Sequence, residues 1–231
     1  MKQPVVLLPG MMCDARLFAP QIAAMSALHP VTVMPLVGHA QVSELAYNVL
    51  QAAPTAFALM GLSMGGIVAM EIIRQAPQRV TRLALFDTNH LSDTPERANL
   101  RNKEIQRVHN GELKAVIRDD MKPNYLAPNE NKQAILDLCM SMAQALGPQV
   151  FIQQSRALQT RSDQTATLAK INVPTLIACG ESDTLCPIER HQFMHELVPN
   201  SELQIIKGAG HLPTLEQPAV TTNIFHKWLS L

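Results

Sequence analysis

The sequence predicts an α/β fold in which a mostly parallel, doubly wound sheet of about six strands carries helices on both faces. Short β-branched and leucine-rich runs alternate with helical patterns along most of the chain, as right-handed crossovers between parallel strands require. Hydrophobic residues make up 47% of the 231 residues, enough to fill a core on both sides of a sheet. The alternation stops after residue 87 and resumes at residue 174, which marks an inserted segment.

Six runs have the composition of strands, and five have the apolar spacing of helices. Three of the helices stop at or before Pro30, Pro77 and Pro199, because proline cannot continue a helix. The predicted strands are Val5–Leu8, Val31–Pro35, Ala56–Leu62, Leu83–Asp87, Thr175–Cys179 and Glu202–Ile206. The predicted helices are Ala15–Ser26, Ser43–Ala52, Met64–Gln75, Ile188–Leu197 and Pro218–Leu231.

The segment between the fourth and fifth strands is polar-rich and helical. Its apolar residues recur at helical spacing, which predicts three or four short amphipathic helices. We therefore expect a core of residues 1–90 and 166–231 with a small helical cap, residues 91–165, inserted in it. Met140, Met142 and Phe151 are candidates to line a substrate pocket under this cap, since methionine adapts to irregular apolar ligands.

The net charge and the cysteine content of the chain argue against several classes of function. The formal net charge is zero, so no basic surface argues for nucleic acid or an anionic membrane. Cys13, Cys139, Cys179 and Cys186 have neither metal-ligand spacing nor a paired framework, and they are expected to be reduced thiols. With no signal peptide and no bilayer-spanning stretch evident, we expect a cytoplasmic protein, a monomer or homodimer, that acts on a small molecule.

A serine lies in the middle of a tight turn between a predicted strand and a predicted helix. The turn reads GLSMGG over residues 61–66, with the apolar run AFALM before it and IVAMEII after it. Glycines on both sides of Ser63 remove side chains that would collide with the strand and the helix, so the serine can adopt a strained turn that exposes its hydroxyl. The pattern G-x-S-x-G in this context indicates a nucleophile.

A serine hydroxyl needs a base and a third group that orients the base. His211 lies in the loop KGAGHLP after the last predicted strand, and Asp183 lies just beyond the end of the fifth. Asp87, at the end of the fourth strand, is an alternative for the acid. We favour Asp183 because its loop and its spacing to His211 fit the common arrangement.

The chain order nucleophile, acid, base, together with four motifs, resembles the α/β-hydrolase family nearly from end to end. The motifs are Val5–Met12 at the oxyanion position, Gly61–Gly66 at the nucleophile, Gly180–Pro187 around the acid and Gly208–His211 around the base. The chain looks like a short, capped, serine esterase-like member, because it starts at what would be the third strand of the family.

The resemblance implies roles for five residues. Ser63 is the nucleophile, His211 the base and Asp183 the acid, while the backbone N–H groups of Met11 and Met64 form the oxyanion hole. Pro9 stands where most members carry histidine, so the hydrogen bonds of that histidine are lost although the N–H of Met11 is retained. No metal and no organic cofactor is implied.

The resemblance also implies hydrolysis of a small, largely apolar carboxylic ester, thioester or lactone through an acyl-enzyme. The same triad serves carbon-carbon bond hydrolysis, acyl transfer and perhydrolysis, which stay open as alternatives. A different class is a hydrolase-like receptor that binds a small molecule and recruits a partner. Turnover distinguishes the two, because an enzyme of typical rate turns over about ten times per second.

Two other sets of residues have simpler interpretations. His191 and His195 lie four apart on a predicted helix, which suits a metal, but the glutamate of H-E-x-x-H is absent and no third ligand is evident. We interpret them as a solvated helix face. Arg97 and Arg101 in the cap are likewise interpreted as a solvated face, which leaves an apolar pocket that favours neutral acyl groups of short to medium length.

Overall fold

A six-stranded, wholly parallel sheet runs through the centre of the computed structural model, which describes residues 2–128 and 132–230. The strand order is β2-β1-β3-β4-β5-β6. The strands are β1 Val5–Leu8, β2 Val31–Val33, β3 Phe57–Leu62, β4 Val80–Phe86, β5 Thr175–Gly180 and β6 Ser201–Ile206. The predicted fold class is confirmed.

Helices lie between the strands and after the last strand. They are α1 Ala19–Met25, α2 Val42–Ala52, α3 Met64–Gln75, α4 Pro95–His109, α5 Leu113–Ala115, α6 Lys132–Gln159, α7 Thr165–Leu168, α8 Ile188–Leu197, α9 Pro213–Glu216 and α10 Pro218–Ser230. Short 3₁₀ turns cover Ala15–Phe18, Pro77–Arg79 and Lys122–Asn124, and a π-helical turn covers Val116–Met121.

Alternate residues of the sheet bury their side chains on opposite faces. On one face Leu59 and Leu85 pack with the helices α2, α3 and α8. On the other face Met60 and Phe86 pack with α1 and α10, where Phe225 and Trp228 are fully buried. Apolar helices on both faces explain why the central strands are continuous hydrophobic runs.

Strand order also fixes where the functional loops meet. After β2 the chain crosses over β1 and adds β3 on its other side, so the direction of winding reverses between β1 and β3. At such a switch point the loops that leave the carboxyl ends of neighbouring strands diverge and open a crevice. The loops that follow β1, β3, β4 and β5 all begin at the carboxyl ends of the strands, on the side of the sheet where this crevice opens.

The segment between β4 and β5 builds its own small apolar cluster. Ile105 of α4, Val116, and Phe151 and Ile152 of α6 pack together with Met12 from the loop after β1. The described part of the segment is helical, as expected from its apolar spacing. Its assignment as a cap over residues 91–165 stays a prediction.

Helix α6 differs from expectation in one respect. Its 28 residues are long and apolar enough to cross a membrane by length and composition, although no such stretch is expected from the sequence. The helix is interrupted at Gly147, which has a φ of 81° and precedes Pro148. This break divides the helix into two packed halves. Burial of Met142 and Phe151 on either side of the break fits a helix that packs on protein.

Element boundaries shift by a few residues at three places. Strand β2 ends at Val33 and not at Pro35, since proline donates no ladder hydrogen bond. Strand β4 begins at Val80, three residues before the prediction, and the first turn of the predicted helix at Ala15 is a 3₁₀ turn. The carboxyl ends of the strands, which face the crevice, lie within one residue of their predicted positions, except for the end of β2.

Candidate active site

Ser63 connects β3 to α3 in a backbone conformation that few residues adopt. Its φ is 55° and its ψ is −116°. A Cβ atom on Gly61 would lie 2.2 Å from the carbonyl oxygen of Gly65, and one on Gly65 would lie 2.0 Å from that of Leu8. The two glycines therefore permit the close approach of strand and helix that forces the turn at Ser63.

Thr88, in the loop after β4, supports this turn from below. Its hydroxyl donates a hydrogen bond of 2.7 Å to the carbonyl oxygen of Ser63, and its side chain is fully buried. A Cβ on Gly66 would lie 2.5 Å from that same hydroxyl oxygen, so the glycine makes room for it. The carbonyl of the strained residue is thereby held in place.

Three side chains form one chain of hydrogen bonds at the end of the sheet. Nε2 of His211 lies 2.9 Å from Oγ of Ser63, and Nδ1 lies 2.8 Å from Oδ2 of Asp183. A carboxylate beside Nδ1 places the ring proton on that nitrogen, which leaves Nε2 to accept the hydroxyl proton of Ser63. The three predicted residues thus lie together in the order that serine hydrolysis requires.

Asp183 has three polar contacts that suit an ionised carboxylate. Besides His211, its Oδ1 accepts the backbone N–H groups of Leu185 at 2.9 Å and Cys186 at 3.0 Å. Burial raises the pKa of Asp183, but the His211 imidazole and these hydrogen bonds outweigh it and hold the pKa below its ordinary value. Asp183 is therefore charged at neutral pH.

Asp87, the alternative acid, has a different partner. It is fully buried, and its Oδ1 accepts the N–H of Gly180 at 2.8 Å. Burial and the nearby carboxylate of Asp183 raise the pKa of Asp87 well above its ordinary value, which favours the neutral acid. Among the described residues, Asp183 is the carboxylate that contacts His211.

The His211 loop is held by two groups that have no predicted role, Tyr125 and Glu216. The N–H of His211 donates to the carbonyl of Tyr125 at 2.7 Å. The carboxylate of Glu216 accepts the N–H groups of Gly210 at 2.9 Å and Leu212 at 3.0 Å. In the sequence, the signal for this role is the acidic residue Glu216, five positions after His211. It lies at the end of the short helix α9, which begins at Pro213.

The loop after β1 is fixed by one glutamine of α6. Met12 has a φ of 57°, and its N–H donates to Oε1 of Gln154 at 2.9 Å. Nε2 of Gln154 donates in turn to the carbonyl of Leu36 at 2.8 Å, and the side chain is buried. In the sequence, Gln154 lies at helical spacing between the apolar residues Phe151 and Leu158, and a polar residue at such a position is a signal of this role.

A cavity of about 480 Å³ lies next to these residues. Ser63, His211, Met11 and Met64 line it, as do polar and charged residues of the segment after β4. Four of the lining residues are arginines: Arg97, Arg101, Arg161 and Arg190. The interpretation as a solvated face is therefore wrong for Arg101, whose side chain is only 7% exposed, whereas the side chain of Arg97 is 40% exposed.

The three apolar cap candidates lie away from this cavity. Met142 is fully buried against the helix layer of α1 and α10, and Phe151 is fully buried in the small cluster after β4. Met140 packs against that same cluster. The prediction that these residues line the pocket is wrong, because their helix stripes face neighbouring helices.

The two histidines of α8 have separate partners. Nε2 of His191 accepts the N–H of Thr88 at 3.1 Å, and its Nδ1 lies 3.2 Å from the carbonyl of Pro187. Nδ1 of His195 lies 2.7 Å from the hydroxyl of Ser201. His191 is fully buried, so the interpretation as a solvated face is wrong for this residue, and its ring nitrogens are already engaged.

Burial of His191 predicts a pH-dependent stability. Desolvation lowers the pKa of His191 from 6.5 to about 4, so between these values the unfolded chain binds a proton that the folded chain does not. Lowering the pH from 7 to 5 should therefore cost about 2 kcal/mol of folding free energy through this group. Urea unfolding at the two pH values measures this loss.

The matched variant is His191→Gln, which retains an acceptor for the Thr88 N–H. We expect its stability loss between pH 7 and pH 5 to be smaller than that of the wild type by about 2 kcal/mol. His109→Gln, at the exposed end of α4, should lose as much as the wild type. An equal loss in His191→Gln and the wild type would contradict the prediction.

Within residues 2–128 and 132–230, one group of side chains has metal-ligand chemistry. The ligand atoms of Asp183, Cys186 and His211 lie within 4.8 Å of one another. Burial raises the pKa of the Cys186 thiol well above its ordinary value, whereas metals bind the thiolate. A metal here would also replace the hydrogen bond between His211 and Asp183, so these residues fit a proton-transfer chain better than a metal site.

The family described as "Serine aminopeptidase, S33" matches residues 40–218 of the chain. The pimeloyl-[acyl-carrier protein] methyl ester esterase of Neisseria meningitidis is 23% identical, over 91% of this chain and 87% of that protein. The 3-oxoadipate enol-lactonase 1 of Acinetobacter baylyi is 25% identical, over 92% and 83%. A match to RutD of Pseudomonas savastanoi pv. phaseolicola, at 26% identity, covers 69% of this chain and 62% of that protein.

Solved structures agree with these matches. A thermophilic esterase from Thermogutta terrifontis has a TM-score of 0.89 and 26% identity, over 99% of this chain and 89% of that one. The enol-lactonase from Burkholderia xenovorans LB400 has a TM-score of 0.87 over 100% and 93%, at 18% identity, which is a likeness of fold alone.

Proposed function

The chain belongs to the serine aminopeptidase S33 family of the α/β-hydrolase fold, and on this premise we propose that it is a serine hydrolase that cleaves a small carboxylic ester through an acyl-enzyme on Ser63. One observation carries the proposal. Oγ of Ser63, the imidazole of His211 and the carboxylate of Asp183 form a continuous hydrogen-bond chain that ends in a cavity of about 480 Å³.

Each residue has one task in this mechanism. As Oγ of Ser63 attacks the ester carbonyl, its proton passes to Nε2 of His211, and Asp183 stabilises the resulting imidazolium. When the tetrahedral intermediate collapses, the imidazolium gives that proton to the leaving alcohol and the acyl group stays on Ser63. Water then attacks the acyl-enzyme by the same route and releases the acid.

The oxyanion of each tetrahedral intermediate needs hydrogen-bond donors. We assign this role to the backbone N–H groups of Met11 and Met64, both of which line the cavity beside Ser63. A donor of this kind contributes about 3 kcal/mol to the transition state. Gln154 is a positioning residue in this scheme, because it binds the N–H of Met12 and so fixes the loop that carries Met11.

Relatives support an ester-type substrate. Two relatives that match over most of the chain are named a methyl ester esterase and an enol-lactonase. Esters, thioesters and lactones all react through a tetrahedral intermediate of the same kind. A cavity of this volume accommodates a small molecule. We also infer a cytoplasmic location, since the four cysteines, all within the described residues, are free.

Trapping the acyl-enzyme tests the proposal. A fluorophosphonate should add to one serine, and tryptic mass spectrometry should locate the adduct on Ser63. A p-nitrophenyl ester should be hydrolysed over many turnovers, which a receptor that merely retains the triad would not achieve. Stoichiometric release without turnover would favour the receptor, and labelling at another serine would refute the proposal.

A further inference from the structure

The cavity beside Ser63 contains more arginine charge than carboxylate charge. Arg101 and Arg161 share a single carboxylate: Asp93 lies 2.6 Å from Nε of Arg101 and 2.6 Å from a terminal nitrogen of Arg161. All three side chains are at least nine-tenths buried. One of the two guanidinium charges is thus left uncompensated inside the protein.

A third arginine has no acidic partner among the described residues. Arg190 of α8 donates to the side-chain oxygen of Asn89 at 3.1 Å, and its buried Nε has no hydrogen-bond partner. Arg97, in contrast, has an acidic partner: Oε1 of Glu104 lies 3.3 Å from Nη1 of Arg97. Asp120 also lines the cavity but forms an ion pair with Arg107. The lining acids are therefore already engaged by arginines.

Uncompensated guanidinium groups that line a cavity favour an anionic ligand. Arginine does not lose its proton in a protein, and a buried charge without a partner is costly. Burial keeps water from the two guanidinium groups and lowers the pKa of both Arg101 and Arg161. A carboxylate satisfies such groups best, since it accepts two parallel N–H donors from one guanidinium.

We propose that the ester substrate carries a free carboxylate on its acyl part, and that Arg190 together with the Asp93-linked pair Arg101 and Arg161 binds it in the Ser63 cavity. This inference rests on the proposed function and names its substrate class. The buried position of Arg101 and Arg161 favours the acyl side, because the acyl group stays in the cavity after the alcohol has left. It replaces the expectation of neutral acyl groups.

Two esters of equal chain length test the proposal. The mono-p-nitrophenyl ester of glutaric acid ends in a carboxylate, whereas p-nitrophenyl valerate ends in a methyl group, and their leaving groups are identical. We expect kcat/KM of the wild type to be at least about tenfold higher for the glutarate ester. Added salt should reduce this ratio, because it screens charge–charge attraction.

Variants assign the preference to the cavity. Arg190→Gln should lower the ratio of the two kcat/KM values at least about tenfold, since it removes a charge but retains amide donors. Arg118→Gln is the matched control: this exposed arginine of the inserted segment lies outside the cavity lining, pairs with Asp119 and should leave the ratio unchanged. Melting temperatures confirm that each variant is folded.

The outcomes separate this inference from the proposed function. Hydrolysis of both esters with a ratio of one or less in the wild type would overturn the carboxylate proposal while the serine mechanism stands. A ratio that Arg190→Gln leaves unchanged would also overturn it. If neither ester is turned over and no fluorophosphonate adduct forms, the proposed function itself fails.

Discussion

Replacing Ser63 with alanine should reduce p-nitrophenyl ester hydrolysis by about 10⁴-fold or more and abolish fluorophosphonate labelling. The reason is geometric: Oγ of Ser63 lies 2.9 Å from Nε2 of His211, and no other atom of residue 63 can form the acyl bond. Initial rates of ester hydrolysis measure the first effect, and the mass of the intact protein after incubation with the fluorophosphonate measures the second. Circular dichroism should show an unchanged fold, because alanine retains the Cβ.

Ser92 provides the matched control for this variant. It is an exposed serine that lines the same cavity, but among the described residues it forms no hydrogen bond with a histidine. Ser92→Ala should therefore retain both labelling and turnover. Activity that survives in Ser63→Ala, or is lost in Ser92→Ala, would place the nucleophile elsewhere in the cavity.

Removing the charge of Asp183 should cost nearly as much as removing the nucleophile. Asp183→Asn should lower kcat by about 10⁴-fold, because an amide beside Nδ1 no longer holds the proton there and does not stabilise the imidazolium. The 2.8 Å contact between Oδ2 and Nδ1 is the interaction that this variant changes. Steady-state kinetics on one ester measure kcat and KM separately.

Asp87→Asn is the matched comparison, since it makes the same chemical change in the neighbouring carboxyl. Asp87 accepts the Gly180 N–H, and its raised pKa favours the neutral acid, which an amide resembles in shape and charge. We expect less than about tenfold loss of kcat. A larger loss in Asp87→Asn than in Asp183→Asn would transfer the role of acid to Asp87.

The sheet and the loops around Ser63, Asp183 and His211 were predictable because their signals are local. Strand β3, the turn at Ser63 and helix α3 are consecutive in the chain, and the glycines at 61 and 65 report directly on how closely strand and helix approach. The parallel order of the strands then brings Asp183 and His211 to the same edge.

The lining of the cavity was not predictable in the same way. An apolar helix stripe shows that a face is covered, but Met142 and Phe151 are covered by neighbouring helices and not by a ligand. Arg101 looked like a surface residue because its partner Asp93 lies before helix α4 begins and is shared with Arg161, which is far along the chain. Pairing of this kind is a property of the folded structure.

The strained backbone of Ser63 has a consequence for evolution and engineering of this protein. A φ of 55° in a residue with a Cβ costs about 1–3 kcal/mol, and the packing of β3, α3 and the Thr88 hydroxyl must offset that energy. At this one position, reactivity and thermostability are therefore opposed. Substitutions that make the protein more heat-resistant without loss of rate must come from residues that do not share this turn.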